Sequence, residues 1–240
     1  HHIAEISYHN VWLRNMQFGM GTRYELYGYD KFLHVEGTPT YNPQKREHFF
    51  SYYATLHYDS FDKAYFPSRG VKMHGSYTLY TANFMEYENR TPFPGVQGSI
   101  ESVIPVTRRF SILPSVHGRF LFGKNIPYSK MNIMGGDIME KYLPYQLPFA
   151  GTTRVELMDN SLLIGGIKLR QRMGSIHYLT LTGNYALSSH KIKNILREDS
   201  MFGCAITYGM DSMFGPLEAT FNYTNHSDKV GFYINLGYKF

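Results

Sequence analysis

The sequence predicts an all-β fold, and more narrowly an antiparallel transmembrane β-barrel with about 11–12 strands in this chain. Three observations predict it: apolar and polar residues alternate in one segment after another, aromatic residues are frequent, and short connections alternate with long ones. The 240 residues include 21 Tyr and 17 Phe. The mean hydropathy of -0.33 is compatible with a spanning barrel, because its strands alternate between lipid-facing and lumen-facing residues.

The last eleven residues show the alternation most clearly. Smaller or polar residues separate six apolar ones: Val230, Phe232, Ile234, Leu236, Tyr238 and Phe240. This pattern predicts a strand with one apolar face. The segments 202–210 and 217–224 follow the same rule, so the chain ends in three consecutive strands of one kind.

Eight further segments read as strands, and most of them alternate in the same way. They lie near 3–12, 16–28, 49–58, 71–81, 98–106, 110–122, 162–172 and 177–188. We expect large apolar residues such as Leu56 and Met73 to face lipid. Charged residues such as Arg23, Glu25 and Arg119 are expected to line the lumen.

The connections alternate in length. Short ones lie near 13–15, 59–70, 107–109, 173–176 and 211–216, and long ones near 29–48, 82–97, 123–161 and 189–201. Outer-membrane barrels combine short periplasmic turns with long outer loops in this way. A soluble sandwich or a lipocalin-like barrel also alternates along its strands. The aromatic residues crowded at strand ends and the two classes of connection favour the membrane barrel.

Eleven strands would place His1 at the rim of the long loops. Single-chain bacterial barrels usually have an even number of strands and enter from the periplasmic rim. We therefore expect residues 1–240 to form an outer-membrane barrel domain that lacks its N-terminal strands and any periplasmic or catalytic domain.

Composition argues against several other classes of function. The single cysteine, Cys204, cannot form an internal disulfide, and no Cys/His cluster has zinc spacing. We predict no cofactor and no metal site. The net charge of +5 is scattered over turns and strands rather than concentrated in a basic helix, which disfavours nucleic acid. Outer-membrane lipids and lipopolysaccharide are the expected partners.

Two sequence motifs resemble the BamA superfamily. The run Phe214-Gly215-Pro216-Leu217, followed by the strand that ends in Phe240, is similar to the last three strands of that superfamily. The turn with Asp59, Asp62, Phe66, Pro67 and Gly70 resembles its periplasmic turn. Pro67 fixes φ, Gly70 allows a positive φ, and Asp62 is expected to cap turn amides, so the segment predicts a rigid strand reversal.

The resemblance implies a sixteen-stranded barrel in the bacterial outer membrane, with strands nine to sixteen after Gly70. It also implies that Phe232, Leu236, Tyr238 and Phe240 act as the signal recognised by the barrel assembly machinery. A passenger domain or a second copy of the chain are further possible partners under this interpretation.

The long connection departs from the superfamily pattern. Gly135 and Gly136 are present, but the segment 137–151 lacks the Arg-Gly-aromatic motif of the assembly and secretion members. The chain is therefore most similar to the translocator barrels of patatin-like phospholipase autotransporters, which implies a membrane anchor for an N-terminal lipase or periplasmic domain. An outer-membrane assembly or secretion pore is the alternative within the superfamily, and a small porin is an alternative of another class.

We predict no catalytic site in this chain. A patatin-type lipase needs a Gly-x-Ser-x-Gly elbow, and the sequence contains none. A barrel phospholipase would need His74 and Ser76, which share one strand face. That face is expected to point into the lumen, whereas a membrane lipase needs its nucleophile on the lipid side.

Overall fold

The structure is a computed structural model that describes residues 1–28, 46–84, 92–123, 126–136, 145–152, 157–226 and 230–237. Most of these residues lie in one antiparallel sheet of eleven strands, each paired with its neighbours along the chain. No helix among the described residues is long and apolar enough to cross a membrane. The fold is all-β, as the alternation predicts.

Eleven long strands form the sheet, in the order in which they follow one another along the chain. They are β1 (His2–Trp12), β2 (Met16–Gly28), β3 (Arg46–Asp59), β4 (Gly70–Thr81), β5 (Phe93–Pro105), β6 (Phe110–Leu121), β10 (Ser161–Arg172), β11 (His177–Ser189), β12 (Asp199–Ser212), β13 (Gly215–Thr224) and β14 (Val230–Leu236). No ladder within the described ranges joins β1 to β14, so the sheet is open there.

The start of β5 differs from the prediction. Pro94 and Gly95 suggest a loop in the sequence, yet the strand already includes Phe93, where the prediction begins near 98. Pro94 has no N–H to donate, but its carbonyl accepts a hydrogen bond from the amide of Phe122 at 2.9 Å. On its other side the ladder with β4 continues past the proline, with Leu79 opposite Pro94 and Tyr80 opposite Phe93.

The connection between β6 and β10 contains short elements that the sequence does not predict. They are a 3₁₀ turn (Tyr128–Lys130) and three strands, β7 (Asn132–Met134), β8 (Gln146–Leu147) and β9 (Leu157–Asp159). β7 pairs in parallel with β8 and antiparallel with β9. A second 3₁₀ turn (Ile192–Asn194) lies between β11 and β12.

The two faces of the sheet differ as predicted. One face exposes large apolar side chains along every long strand, including Leu56, Met73, Ile100 and Ile206. The other is concave and carries the polar residues and the buried core. Two apolar clusters lie there, both at the end where the long connections emerge, and both include residues of the β6–β10 connection. This connection is therefore the feature that fills the concave face.

Candidate functional site

The candidate site is the part of the β6–β10 connection that lies against the concave face. Its central side chain is Lys130, which is completely buried. The ammonium pairs with the Glu25 carboxylate of β2, which is 1% exposed. It also donates to the hydroxyls of Tyr27 at 3.3 Å and Tyr145 at 3.2 Å. The lysine thus fastens the connection to the strand wall.

Aromatic rings enclose the Lys130 ammonium. The nitrogen lies 4.6 Å from the ring centroid of Phe49, 4.8 Å from that of Tyr27 and 5.3 Å from that of Tyr80. The negative faces of such rings attract a cation, and the attraction grows when water is excluded. Rings and carboxylate together compensate for the water that the ammonium has lost.

Lys130 belongs to the connection and lies outside the long strands. Burial lowers the pKa of its ammonium to about 8, although the neighbouring Glu25 carboxylate opposes the shift. The Glu25 carboxylate therefore offsets part of the cost of burying this ammonium.

Arg119 of β6 holds the same segment from the other side. Its guanidinium donates to the carbonyl of Lys130 at 2.8 Å and to Asn132 Oδ1 at 2.5 Å, and it also donates to the hydroxyl of Tyr80 at 3.2 Å. Asn132 Nδ2 returns a bond to the carbonyl of Arg119 at 2.8 Å. The guanidinium lies 4.0 Å from the ring centroid of Tyr145. Arg119 lies on the concave side, as expected, but its hydrogen-bond partners are neutral groups of the connection and of β4.

Gly135 and Gly136 lie at the next turn of the connection. Gly136 adopts a φ of 62° and donates its amide to Thr152 Oγ1 at 2.9 Å. The carbonyl of Gly135 accepts from the Gln146 side chain. The two glycines thus bring the arms of the connection together. Residues 137–144 lie outside the described part of the chain.

The connection also packs tightly on β12. A Cβ added to Gly203 would lie 2.0 Å from the carbonyl oxygen of Ala150 and 2.6 Å from Phe149 Cε1. Phe149 is fully buried in an apolar cluster with Leu162 and Ile164 of β10. The absence of a side chain at Gly203 therefore allows the connection to touch the wall.

A polar cavity of about 170 Å³ lies next to the connection, between Tyr145 and the concave faces of β2 to β6. Arg23, Thr55, His74 and Ser76 are among the residues that line it. His74 and Ser76 therefore face the lumen, as the sequence predicts, and away from the lipid-facing side. Among the residues that the structure describes, no group of three His, Cys, Asp or Glu is placed to hold a metal ion.

The turn between β3 and β4 contains the second sequence motif. Asp59 accepts a hydrogen bond from the amide of Phe61 at 2.9 Å, and Asp62 accepts from the amides of Ser68 at 2.8 Å and Arg69 at 3.3 Å. Gly70 has a φ of 121°, and a Cβ there would lie 2.4 Å from the Ser60 carbonyl oxygen. The carboxylates cap the turn, and Gly70 permits its close return to β4.

Asp62 lies in this turn, outside the long strands. Burial by itself raises its pKa, but the hydrogen bonds from the hydroxyl and amide of Ser68 and the amide of Arg69 stabilise the carboxylate. The net effect lowers the pKa of Asp62 below its ordinary value.

Phe66 has the least expected conformation in the turn. Its φ is +45°, a left-handed value that costs a residue with a Cβ roughly 1–2 kcal/mol. The side chain is 8% exposed, and its ring stacks on Tyr178 of β11 with centroids 4.3 Å apart and planes at 4°. Arg170 of β10 donates to the carbonyl of Pro67 at 3.1 Å. The turn therefore touches strands far from its own hairpin.

The proposed assembly signal falls partly outside the described residues. Phe232 and Leu236 share the outer face of β14 and are 52% and 75% exposed. Tyr238 and Phe240 lie beyond residue 237, where the description ends. The role of these four residues in assembly stays a prediction.

Sequence reasoning did not identify Lys130, Asn132 or Tyr145 as site residues. The one signal in the sequence was a single charged residue in the otherwise uncharged run 126–136. Such a lysine usually marks a solvated loop, and its carboxylate partner lies 105 residues away.

Comparison with known proteins identifies the family. A crystal structure of BamA from Haemophilus ducreyi lacking POTRA domains 1-3 matches with a TM-score of 0.68 and 14% sequence identity, over 97% of this chain and 53% of that chain. The chain thus spans about half the length of this neighbour. No curated protein matches it. A family model described as the OMP85 superfamily matches residues 3–240, which confirms the BamA-type resemblance of the sequence. The chain belongs to the OMP85 superfamily.

Proposed function

We propose that this chain is the barrel of an outer-membrane translocator and anchor, and that its own β6–β10 connection closes the lumen at rest. The observation that carries the proposal is the Lys130–Glu25 ion pair on the concave face. It joins the connection to a strand on the opposite side of the sheet from β10, where the connection ends. A chain segment fastened at both sides of the lumen blocks it.

The contacts that hold the connection differ at its two sides. On the β10–β12 side the packing is apolar and close, with Met134, Leu147 and Phe149 in the cluster. On the β2 side an apolar cluster with Phe49, Tyr80 and Met131 is joined by the ionic and hydrogen-bonded contacts of Lys130. Breaking a buried ion pair is costly, but water or a charged polypeptide segment can replace its partners. We infer that the β2 side is the one that releases when the lumen opens.

The finer proposal is that the barrel anchors and exports an N-terminal patatin-like lipase domain. It is supported by the sequence of the connection, which lacks the Arg-Gly-aromatic motif of the assembly and secretion members. Under this proposal the chain itself has no catalytic role. The fold shared with BamA supports the alternative, an assembly or secretion pore.

Single-channel conductance in planar lipid bilayers tests the closure. Glu25→Gln should raise the mean conductance severalfold over the wild type, because the buried ammonium loses its counter-ion and the β2 side releases. Glu5→Gln is the matched control, since Glu5 also faces the lumen but pairs with Arg23 where both are about one-third exposed. Equal conductance of Glu25→Gln and the wild type would contradict the proposal.

Protease treatment of intact cells distinguishes the anchor proposal from the assembly-factor alternative. With an epitope on the proposed N-terminal domain, the anchor proposal expects cleavage at the cell surface that depends on the barrel. An assembly factor would instead lower the amounts of other outer-membrane proteins when it is depleted, with no domain at the surface.

A further inference from the structure

We propose that the β3–β4 turn is a second closure of the lumen, at the end of the short turns, and that Phe66 is its plug. Its role in transport rests on the proposed function above. That the turn closes the lumen is argued from its own contacts with β10, β11 and β12.

The turn reaches across the concave side of the sheet. It connects β3 and β4, but Phe66 and Pro67 contact Arg170, Tyr178 and Gly209, which belong to β10, β11 and β12. β5 and β6 separate β4 from β10 in the sheet. Because neighbouring strands lie about 4.8 Å apart, these residues are well beyond the reach of an ordinary hairpin turn that stays above its own strands.

The wall is shaped to receive the ring. A Cβ added to Gly209 would lie 2.7 Å from Phe66 Cε1 and 2.9 Å from Cζ, so any other residue there would displace the phenyl group. Tyr178 offers a parallel ring on the adjacent strand. The Arg170 guanidinium lies 5.6 Å from the Phe66 centroid while it holds the Pro67 carbonyl. Three strands thus supply a slot, a stacking partner and a hydrogen bond.

The backbone conformation of Phe66 also supports a role for its ring in the closure. A tight turn that needs a positive φ is served best by glycine, and phenylalanine adopts this region only where surrounding contacts enforce it. Here the ring makes those contacts. The turn alone would be better formed without the side chain, so what the ring contributes is its contact with the opposite wall.

The two closures lie at different levels of the lumen. The β6–β10 connection lines the polar cavity through Tyr145 at the long-loop end, and the β3–β4 turn lies at the short-turn end. A polypeptide that passes the lumen must therefore displace both segments, whereas for small ions the turn narrows the path. The turn is the constriction that remains when the connection is released.

Cysteine accessibility tests the closure directly. Thr180 lies two residues beyond Tyr178 on the same face of β11 and is 8% exposed. In a Cys204→Ser background, Thr180→Cys should react slowly with a membrane-impermeant methanethiosulfonate reagent. Adding Phe66→Gly should raise the labelling rate at least tenfold. Glycine suits the positive φ, so the turn itself is expected to fold.

Phe84→Gly is the matched control, because Phe84 also has a positive φ, of 67°, but is 64% exposed and lies at the other rim. It should leave the rate within twofold of the parent. If Phe66→Gly leaves the labelling rate of Thr180→Cys within twofold of the parent, the proposal is overturned. An equal increase in the Phe66→Gly and Phe84→Gly variants would also overturn it, because it would indicate a general loosening of the barrel.

Conductance separates this inference from the proposed function. Glu25→Gln combined with Phe66→Gly should conduct more than Glu25→Gln alone. If Glu25→Gln alone already reaches the conductance of the double variant, the second closure is wrong and the first stands. If Thr180→Cys labelling responds to Phe66→Gly but no variant conducts, the turn is a closure and the transport function is wrong.

Discussion

Lys130 and Glu25, 105 residues apart in the sequence, form an ion pair almost completely removed from solvent. Removing one partner leaves the other charge buried without its counter-ion, which typically costs about 3–5 kcal/mol. The replacement of both partners by neutral groups of similar volume costs much less. The stability lost when one partner is removed therefore measures how strongly this pair holds the β6–β10 connection on the sheet.

We expect Lys130→Met to lower the free energy of unfolding by about 3–5 kcal/mol, because the buried Glu25 carboxylate then loses its ammonium partner and keeps only the Tyr27 hydroxyl at 3.2 Å and the His1 ring at 3.6 Å. Urea unfolding followed by heat-modifiable gel migration measures it. Lys72→Met is the matched control: Lys72 pairs with Asp59 at 3.8 Å with both side chains 38% exposed, so its loss should cost at most about 1 kcal/mol. Similar costs for the two variants would contradict the ionic role of Lys130.

Gly203→Ala should displace the connection from β12. The new methyl group would meet the backbone of Ala150 at 2.0 Å, a contact that neither partner can relieve by rotating a side chain. We expect a loss of about 1–3 kcal/mol in unfolding free energy, together with higher conductance in bilayers. Gly183→Ala on the neighbouring strand meets nothing within 4 Å and should change neither quantity appreciably.

The stability of the β3–β4 turn should depend on pH through Asp62. Because the folded pKa of Asp62 is lowered, its carboxylate stabilises the folded state at pH values above its unfolded pKa of about 3.9. This contribution is lost as the pH falls through the folded pKa. The difference in unfolding free energy between the wild type and Asp62→Asn should be constant from pH 5 to 7 and shrink below about pH 4. A difference that does not change with pH would refute the capping role.

Ile100 and Ser99, adjacent near the middle of β5, test which face meets lipid. Ile100 is 51% exposed on the outer face, and Ser99 is half-buried on the concave face. Ile100→Lys should cost about 2–4 kcal/mol in folding into bilayers, as a lysine at the bilayer midplane does. Ser99→Lys should cost clearly less, since its ammonium enters a polar lumen. The reverse order would invert the assignment of the faces.

The strands were predictable because alternation is a local signal. In segments such as 71–81 and 202–210, neighbouring residues alone determine which side chain faces lipid, and the structure agrees. The same locality explains the error at β5, where Pro94 and Gly95 favour a loop and only the pairing with β4 overrides them.

The closures were not predictable in the same way. Lys130 is recognisable as a site residue only together with Glu25, and Phe66 only together with Tyr178 and Gly209, and each pairing joins segments distant in sequence. The turn motif gave the caps and the Gly70 conformation, which are local. It gave no indication that the ring crosses the lumen.

The sequence distance between Lys130 and Glu25 has a consequence for the order of folding. Each long strand pairs with a strand adjacent or nearly adjacent in sequence, so most of the sheet can grow hairpin by hairpin with short loop closures. The connection can reach Glu25 only after β2 to β6 have curved into a wall. Insertion of Lys130 is therefore a late event, and until it occurs the nascent protein presents an unoccupied, water-filled interior.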